Sequence, residues 1–353
     1  MEPPSPPIRG RGAAGNPANR FEPLAIELDA AESGRGGPGP ATEFLRDPSR
    51  SIVATNDSPD VGFDASVNPY RGCEHGCTYC YARPGHEYLG YSAGLDFESR
   101  ILVKERAPEL LRRALAAPGW RPRSVALSGV TDCYQPVERR LCITRRCLEV
   151  LAEFRNPVAV VTKSSLVTRD LDVLGELARF DACSVAVSVT TLDAALARAM
   201  EPRAPRPALR LAAIERLAAA GVPVGVMIAP VIPGLTDHEL PQIAEAAARA
   251  GARFAGTILL RLPFGLAEQF ERWLARHVPE RRRKVMQRVR AMRGGRLNDP
   301  RFGSRMRGSG IFAEQIQLLH RMACRRAGLA TRGPELSCAA FRRPAGPQLE
   351  LFG

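Results

Sequence analysis

The chain has 353 residues, 45% hydrophobic and 25% charged, a globular composition that excludes disorder throughout. No apolar run approaches the roughly 18 residues that span a bilayer, and the first residues lack the apolar core of a signal peptide. These features predict a soluble, cytoplasmic protein without a membrane partner. Nine cysteines are an odd number for a disulfide framework, so we expect thiols that are free to bind metal.

The net charge of +13 is carried by arginine, since only three of the 50 basic residues are lysines. Residues 1–280 are balanced, whereas residues 281–353 contain 17 basic and 4 acidic residues. The stretch from Arg281 to Arg307 has 11 basic residues and one acidic residue. Because such a density attracts phosphate groups, it predicts a nucleic-acid partner, DNA or RNA. The alternative is a solvated face in an arginine-rich protein.

In chain order, residues 1–50 contain nine prolines and seven glycines without strand or helix periodicity, which predicts a disordered arm. From residue 51, short β-branched runs alternate with amphipathic runs, which is typical of a parallel βα series. The predicted strands are 61–68, 124–128, 158–162, 184–188, 222–228 and 254–260. The predicted helices between them are 108–117, 139–154, 170–178, 207–220 and 237–250.

Six strands with helical crossovers predict an α/β core at residues 51–265, as a parallel barrel or an open sheet. Function is expected at the carboxyl ends of the strands in either case. After Pro263 the pattern becomes helical, which predicts a basic helical subdomain at 266–343 and a tail at 344–353. Its predicted helices are 266–277, 280–292 and 311–327.

Three cysteines form a C-x3-C-x2-C motif directly after the first predicted strand: Cys73, Cys77 and Cys80. Thiolates at this spacing can wrap around an iron-sulfur cubane and ligate three of its four irons. The next cysteine, Cys133, is far along the chain, so one iron would stay open. The alternative is a zinc site that His75 or Cys133 completes.

The motif, with Tyr79 at its aromatic position, resembles that of the radical S-adenosylmethionine (radical SAM) superfamily. The resemblance covers residues 51–262 and implies a partial (β/α)6 radical SAM barrel. It implies a 4Fe-4S cluster whose open iron chelates S-adenosyl-L-methionine, and reductive cleavage to a 5'-deoxyadenosyl radical. An electron donor such as flavodoxin or ferredoxin is implied with it.

Segments at 68–73, 131–138, 161–164 and 229–237 resemble the spore photoproduct lyase-like branch of that superfamily. This implies a lyase that acts on damaged or modified DNA, hence DNA repair. Spore photoproduct lyase uses a cysteine hydrogen donor just before the Asp of its strand 2 motif. Here Gly129 is placed there and Cys133 lies on the other side of Asp132, which argues against thymine-dimer cleavage unless Cys133 substitutes.

By this resemblance the cofactor-binding residues are Tyr79, Thr131, Asp132, Lys163 and Ser188. Oxygens of Thr131 and Asp132 can accept hydrogen bonds from the amino group of the cofactor; a turn or helix cap is the alternative. A compact lysine ammonium suits the cofactor carboxylate, and a hydroxyl at Ser188 suits the ribose. A solvated lysine and simple strand termination are the alternatives.

Tyr81, Cys133 and Tyr134 are the predicted catalytic residues, because they follow the cluster motif and the second strand. A tyrosine there can relay a hydrogen atom or stack on a base. Burial against the barrel rim is the alternative.

The segment from Gln348 to Phe352 resembles the bacterial sliding-clamp-binding pentapeptide, Gln-Leu-x-Leu-Phe. It follows a Pro/Gly linker and carries three apolar anchors, as peptides that dock into grooves do. It predicts a sliding clamp as partner.

Two rival functions stay open at this point. One keeps the radical chemistry but gives it a small-molecule or protein substrate. The other is a non-catalytic zinc or iron-sulfur module that recruits partners to DNA.

Overall fold

The structure is a computed structural model that describes residues 8–21 and 40–344. Its strands are β1 (Glu43–Arg46), β2 (Val53–Thr55), β3 (Ala65–Val67), β4 (Tyr70–Arg71), β5 (Arg100–Val103), β6 (Val125–Leu127), β7 (Val158–Thr162), β8 (Cys183–Ser188), β9 (Val224–Val231) and β10 (Phe254–Leu259). Its helices are α1 (Asp96–Ser99), α2 (Ala107–Ala116), α3 (Glu138–Leu141), α4 (Ile143–Phe154), α5 (Leu171–Ala178), α6 (Ala194–Met200), α7 (Pro207–Ala219), α8 (Leu240–Arg249), α9 (Leu266–His277), α10 (Pro279–Ala291), α11 (Ser304–Arg307) and α12 (Ile311–Ala327).

A curved sheet with the spatial order β10-β9-β8-β7-β6-β3-β2 forms the core. The first six strands of this order, β10 through β3, are parallel to one another. Strand β2 pairs with β3 as an antiparallel edge. Strands β3, β6 and β8 are wholly buried, because connecting helices cover the sheet. Each of the six predicted strands overlaps one of the observed parallel strands, which confirms the α/β fold of a partial barrel.

One predicted helix, 139–154, is divided into α3 and α4 at Cys142, whose φ of 53° is left-handed. Glu138 caps the second piece: its carboxylate accepts the amides of Thr144 at 3.0 Å and Arg145 at 3.3 Å. A carboxylate at a helix start is favourable because it meets unpaired amides. The division therefore has a local electrostatic cause.

Parts of the region predicted to be a disordered arm have defined positions. Strand β1 pairs in parallel with β5, which also pairs with β4. Residues 8–21 pack against the segment after β4, with Ala13 buried. These segments depart from the prediction because long-range hydrogen bonds, described below, replace the missing local periodicity.

The C-terminal helices pack on the barrel in two hydrophobic clusters: α12 joins the main one, and α9 and α10 join a second that includes Ile232 and Leu260. Residues Ala313, Ile316 and Cys324 of α12 belong to the main hydrophobic cluster. Beyond α12, Ala330 bridges to Phe254, and the Arg342 amide donates to the Phe154 carbonyl at 2.9 Å. The basic C-terminal extension is helical as predicted, but its core is continuous with that of residues 51–265. No described helix is long and apolar enough to cross a membrane.

Candidate active site

The segment that carries the cysteine motif follows β4 and turns sharply at two glycines. Gly72 and Gly76 have φ values of 81° and 66°, which side chains rarely tolerate. A Cβ at Gly76 would lie 2.4 Å from Glu98 Oε2. Glycine is therefore required for the segment to fold back over α1.

The three motif cysteines lie side by side in the resulting loop, which we call the cluster loop (residues 72–82). Cys80 packs with Cys73 on one side and with Cys77 on the other. Burial raises the pKa of Cys73, and the negative charge of Asp132 adds to this effect. Burial also raises the pKa of Cys77 to about 12, and the charge of Glu201 adds to it. Metal ligation deprotonates thiols, so these three suit a site that a soft, positively charged metal centre neutralises.

A single zinc ion fits this arrangement less well. His75 points its Nδ1 at Asp132, 3.3 Å away. In the described residues, no group of three or more His, Cys, Asp or Glu side chains is arranged to hold one metal ion. In a cubane each thiolate ligates a different iron, so the thiols need not converge on a point, and the cluster loop fits that centre.

A fully buried ion pair forms hydrogen bonds with the backbone of the cluster loop. The guanidinium of Arg83 lies 2.8 Å from Glu98, and neither side chain is exposed (0% each). Arg83 also donates to the carbonyls of Gly76 at 3.1 Å and Cys77 at 2.9 Å. Its donors are thus satisfied in a site where an unpaired charge would be very costly.

The N-terminal segment completes this network. The backbone amides of Gly12 and Ala13 donate to the Glu98 carboxylate at 2.9 and 2.8 Å, and Arg11 donates to the Glu98 carbonyl at 2.7 Å. These bonds join positions more than 80 residues apart. They hold residues 11–13 against the outside of the cluster loop.

His86, in the 3-10 helix Arg83–Leu89 that follows the cluster loop, is buried between the rings of Tyr91 and Phe97. Within residues 8–21 and 40–344 its Nε2 has no hydrogen-bond partner. Burial lowers the pKa of His86 to about 4 against the opposing effect of Asp96. The ring is therefore neutral in the folded protein near neutral pH.

This histidine predicts an acid-sensitive contribution to folding. An unfolded histidine titrates near pH 6.5, so the unfolded state binds the proton first and stability is lost between about pH 6.5 and 4. From about pH 7 to about pH 4.5, wild type should lose about 2 kcal/mol more unfolding free energy than His86→Phe, which keeps the ring contacts. Urea unfolding at the two pH values measures the difference, and equal losses would contradict the prediction.

Asp132 joins the cluster loop to the ends of β6 and β7. One carboxylate oxygen accepts the Thr162 hydroxyl and the Tyr134 amide, and the other accepts the Lys163 amide and faces His75. Burial would raise the pKa of Asp132, but these partners, His75 first, lower it to about 2. With both oxygens engaged, Asp132 positions the backbone of Lys163, and its binding of the cofactor amine stays a prediction.

Of the other predicted cofactor-binding residues, Thr131 already forms a side-chain hydrogen bond within the described part of the chain, whereas the side chain of Lys163 does not. The Thr131 hydroxyl donates to the Tyr70 carbonyl at 2.8 Å, so it too is committed to structure. Lys163 ends β7, and its ammonium forms no hydrogen bond or ion pair with described residues, lying 5.8 Å from the Tyr79 ring. Its charge acts on Cys77 and Glu201. Lys163 is thus a free cation beside the cluster loop.

Tyr79 is held in place by a buried pair of charged residues, Glu201 and Arg210. Its hydroxyl donates to Glu201, which is ion-paired with Arg210, and all three side chains are buried. Burial would raise the pKa of Glu201, but Arg210 and then Lys163 lower it to about 2. Arg210 also donates to the Ser188 carbonyl at 3.1 Å. The network fixes the Tyr79 ring and the end of β8.

Comparison with known proteins shows which family this chain belongs to. Residues 67–247, just over half of the chain, match the family model of the Radical SAM superfamily. The chain belongs to the radical SAM superfamily. It is therefore a radical SAM enzyme, and the family implies a 4Fe-4S cluster, S-adenosylmethionine and an electron donor.

Relatives and solved structures extend this result. Uncharacterized proteins of Mycobacterium bovis and Mycobacterium tuberculosis are 41% identical over 232 residues, which are 64% of this chain and 68% of each relative. An uncharacterized protein of Methanocaldococcus jannaschii is 30% identical over 173 residues, 49% of this chain and 62% of that protein. Spore photoproduct lyase complexed with dinucleoside spore photoproduct has a TM-score of 0.58 at 15% identity, covering 82% of this chain and 81% of the other. At that identity the likeness shows a shared fold.

In this radical SAM barrel the three predicted catalytic residues lie in different surroundings. Tyr81 is 43% exposed and donates to the Gly129 carbonyl at 2.5 Å, at the carboxyl end of β6. Cys133 is fully buried in the main hydrophobic cluster, and the Tyr134 hydroxyl donates to buried Asp170 at 2.9 Å. Tyr81 is thus exposed, whereas Cys133 and Tyr134 are buried, and the catalytic roles of all three stay predictions.

The basic stretch 281–307 is less free than its composition indicates. Arg293 is buried and donates to four carbonyls, including those of Leu259 and Leu260. Four others are paired with carboxylates: Arg282 with Glu271, Arg288 with Asp237, Arg301 with Asp299 and Arg305 with Asp60. Nucleic-acid binding by the rest stays a prediction. The clamp-like segment from Gln348 to Phe352 lies outside the described residues, and clamp binding also stays a prediction.

Proposed function

We propose that this radical SAM enzyme acts on damaged or modified DNA, with Cys73, Cys77 and Cys80 as the three ligands of its 4Fe-4S cluster. The donor set supports this assignment, because the three thiols come from one loop and burial raises the pKa of two of them, Cys73 and Cys77, which metal ligation would deprotonate. When bound, the cluster and S-adenosylmethionine supply a 5'-deoxyadenosyl radical.

Residues of the chain around the cluster loop orient the cofactor in this proposal. Lys163 has no partner among the described residues and supplies a cation for the cofactor carboxylate. Ser188 is buried at the end of β8, and its hydroxyl is assigned to the ribose. Tyr79 provides a wall that Glu201 holds in place. Asp132 acts through Lys163, whose backbone amide it binds.

The observation that carries the DNA assignment is an arginine-aromatic face beside Cys80. The guanidinium of Arg261 lies 4.4 Å from the centre of the exposed Tyr81 ring. Burial lowers the pKa of Arg261, and Tyr81 and Cys80 are close enough to oppose this effect. Phe302 is 56% exposed, and Arg305, whose charge acts on Arg261, lies 4.5 Å from its ring. Phe264 is 62% exposed and follows Arg261 closely in the chain, with the Arg20 guanidinium 3.7 Å from its ring. Exposed rings and guanidinium planes stack on unpaired bases.

The shared fold gives the proposal its chemical direction. Spore photoproduct lyase has been solved with a dinucleoside spore photoproduct, a lesion of two linked nucleosides. A similar barrel here, with Tyr81 and Arg261 beside the cluster loop, would place a damaged base where a hydrogen atom can be removed from it. The flavodoxin or ferredoxin predicted from the resemblance is assigned as electron donor.

Isotope transfer tests this function. The cluster-reconstituted, reduced enzyme is incubated with S-adenosylmethionine and deuterium-labelled DNA carrying defined lesions or modified bases. Mass spectrometry of the released 5'-deoxyadenosine should show deuterium from one DNA substrate. Transfer from labelled RNA alone would contradict DNA as substrate. No transfer from any nucleic acid would favour a small-molecule or protein substrate.

Matched variants show whether the arginine-aromatic face is used. Phe264→Ala/Phe302→Ala should lower DNA-dependent deuterium transfer at least about tenfold, because each stacked base contributes about 1–3 kcal/mol. The control Leu318→Ala/Met322→Ala removes exposed apolar side chains from α12 and should retain wild-type transfer. Equal losses in the two variants would argue against stacking at this face.

A further inference from the structure

A cavity whose lining contains no residue of the cluster loop lies between α10, α12 and the loops that follow β8 and β9. Its volume is about 1090 Å³, enough for a small-molecule ligand. None of the motif cysteines lines it. Its apolar wall contains Leu196, Leu235, Phe312, Ile316 and Leu319.

The acidic side chains that line this cavity are mostly engaged by the protein. Asp193 accepts two backbone amides at the start of α6. Asp237 is ion-paired with Arg288 at 2.9 Å. Glu239 accepts the Thr191 hydroxyl and a backbone amide, both at 2.6 Å. Arg288 therefore neutralises Asp237, whereas Asp193 and Glu239 keep their negative charges but are held in place by donors of the protein.

Two cations of the same cavity are uncommitted. Arg281 and Lys284 are exposed, lie one turn apart on α10, and form no ion pair with described residues. Only Glu280, among the lining acids, is likewise unpaired within the described residues. At Gly234, with φ 85°, a Cβ would lie 3.2 Å from Lys284 Cγ. The lysine stem is thus packed on the loop after β9, and its charge is held at the cavity.

We propose that this cavity binds a phosphate-bearing ligand of nucleotide size. The phosphate lies between Arg281 and Lys284, which both bind phosphate well. The base packs on the wall that contains Phe312 and Leu319. A free mononucleotide and one nucleotide of a DNA strand present this same chemistry. The site contains no residue of the cluster loop, so the proposal stands apart from the proposed reaction.

Binding to the full-length, cluster-reconstituted protein, without reductant, tests the site. The probes are thymidine monophosphate, adenosine monophosphate and a short single-stranded oligodeoxynucleotide, measured by calorimetry. Arg281→Gln/Lys284→Gln should raise the Kd at least about tenfold, as expected for two charge-assisted bonds. The control Arg283→Gln/Arg290→Gln removes the same charge from the same helix, outside the cavity, and should change Kd less than about twofold.

The outcomes separate the two ligand sources. Mononucleotide binding that is lost in the cavity variant assigns the site to a free nucleotide. Oligonucleotide binding alone, lost in the same variant, assigns it to a DNA strand. Equal weakening by both double variants, or no binding of any probe by wild type, overturns the proposal. Because no deuterium transfer is measured, failure here leaves the proposed reaction separately testable.

Discussion

Replacing Cys80 with alanine should abolish the iron-sulfur centre while leaving the chain folded. Cys80 lies between Cys73 and Cys77 and is the least buried of the three, so its loss leaves a small defect in packing. After anaerobic reconstitution, wild type should hold about four irons and four sulfides per chain. Cys80→Ala should lose most of this iron and its visible absorbance. Reductive formation of 5'-deoxyadenosine should fall more than about 100-fold, since even changes around metal ligands cost about 10–100-fold.

The matched control is Cys338→Ala, which removes a half-buried cysteine outside the cluster loop. It should retain wild-type iron, sulfide and product formation. Circular dichroism of both variants checks that the fold is intact. A colourless wild-type protein that takes up one zinc ion would contradict the cluster assignment and support the non-catalytic module. Full cluster loading of Cys80→Ala would show that Cys80 is not a ligand.

Replacing Glu98 with glutamine should destabilise the protein by about 3–5 kcal/mol, the cost of leaving one partner of a buried ion pair uncompensated. Arg83 would keep its charge at 0% exposure, and the amides of Gly12 and Ala13 would lose a carboxylate acceptor. Urea unfolding at neutral pH measures the loss. Limited proteolysis should also show faster cleavage within residues 8–21, because their anchor is weakened.

An exposed pair provides the control for that result. Glu153 pairs with Arg112, and both side chains are substantially exposed. Glu153→Gln should cost less than about 1 kcal/mol, since solvent screens such pairs. If Glu98→Gln and Glu153→Gln have the same small effect, the buried network does not hold the cluster loop and residues 11–13 together.

The fold was predictable because its signals are local, and a local pattern also gave the prediction of the metal ligands. Alternation of β-branched and amphipathic runs placed each of the six parallel strands, and the spacing of Cys73, Cys77 and Cys80 indicated the cluster. Lys163 was predicted from its position at a strand end, and the structure leaves its ammonium available. In each case neighbouring residues carry the pattern, so no knowledge of distant contacts was needed.

The partners of the polar side chains were decided only by tertiary structure. Asp132 is a residue type that often binds ligands, yet the Thr162 hydroxyl and the Lys163 amide donate to its oxygens. Glutamate is usually exposed at the protein surface, yet Glu201 is buried against Tyr79. Residues 11–13 lack any periodic pattern, yet Glu98 anchors them from more than 80 positions away. A hydrogen bond forms only where the fold brings its donor and its acceptor together. Spacing along the sequence can therefore indicate candidate ligands within a compact loop, but not the long-range network that holds the loop.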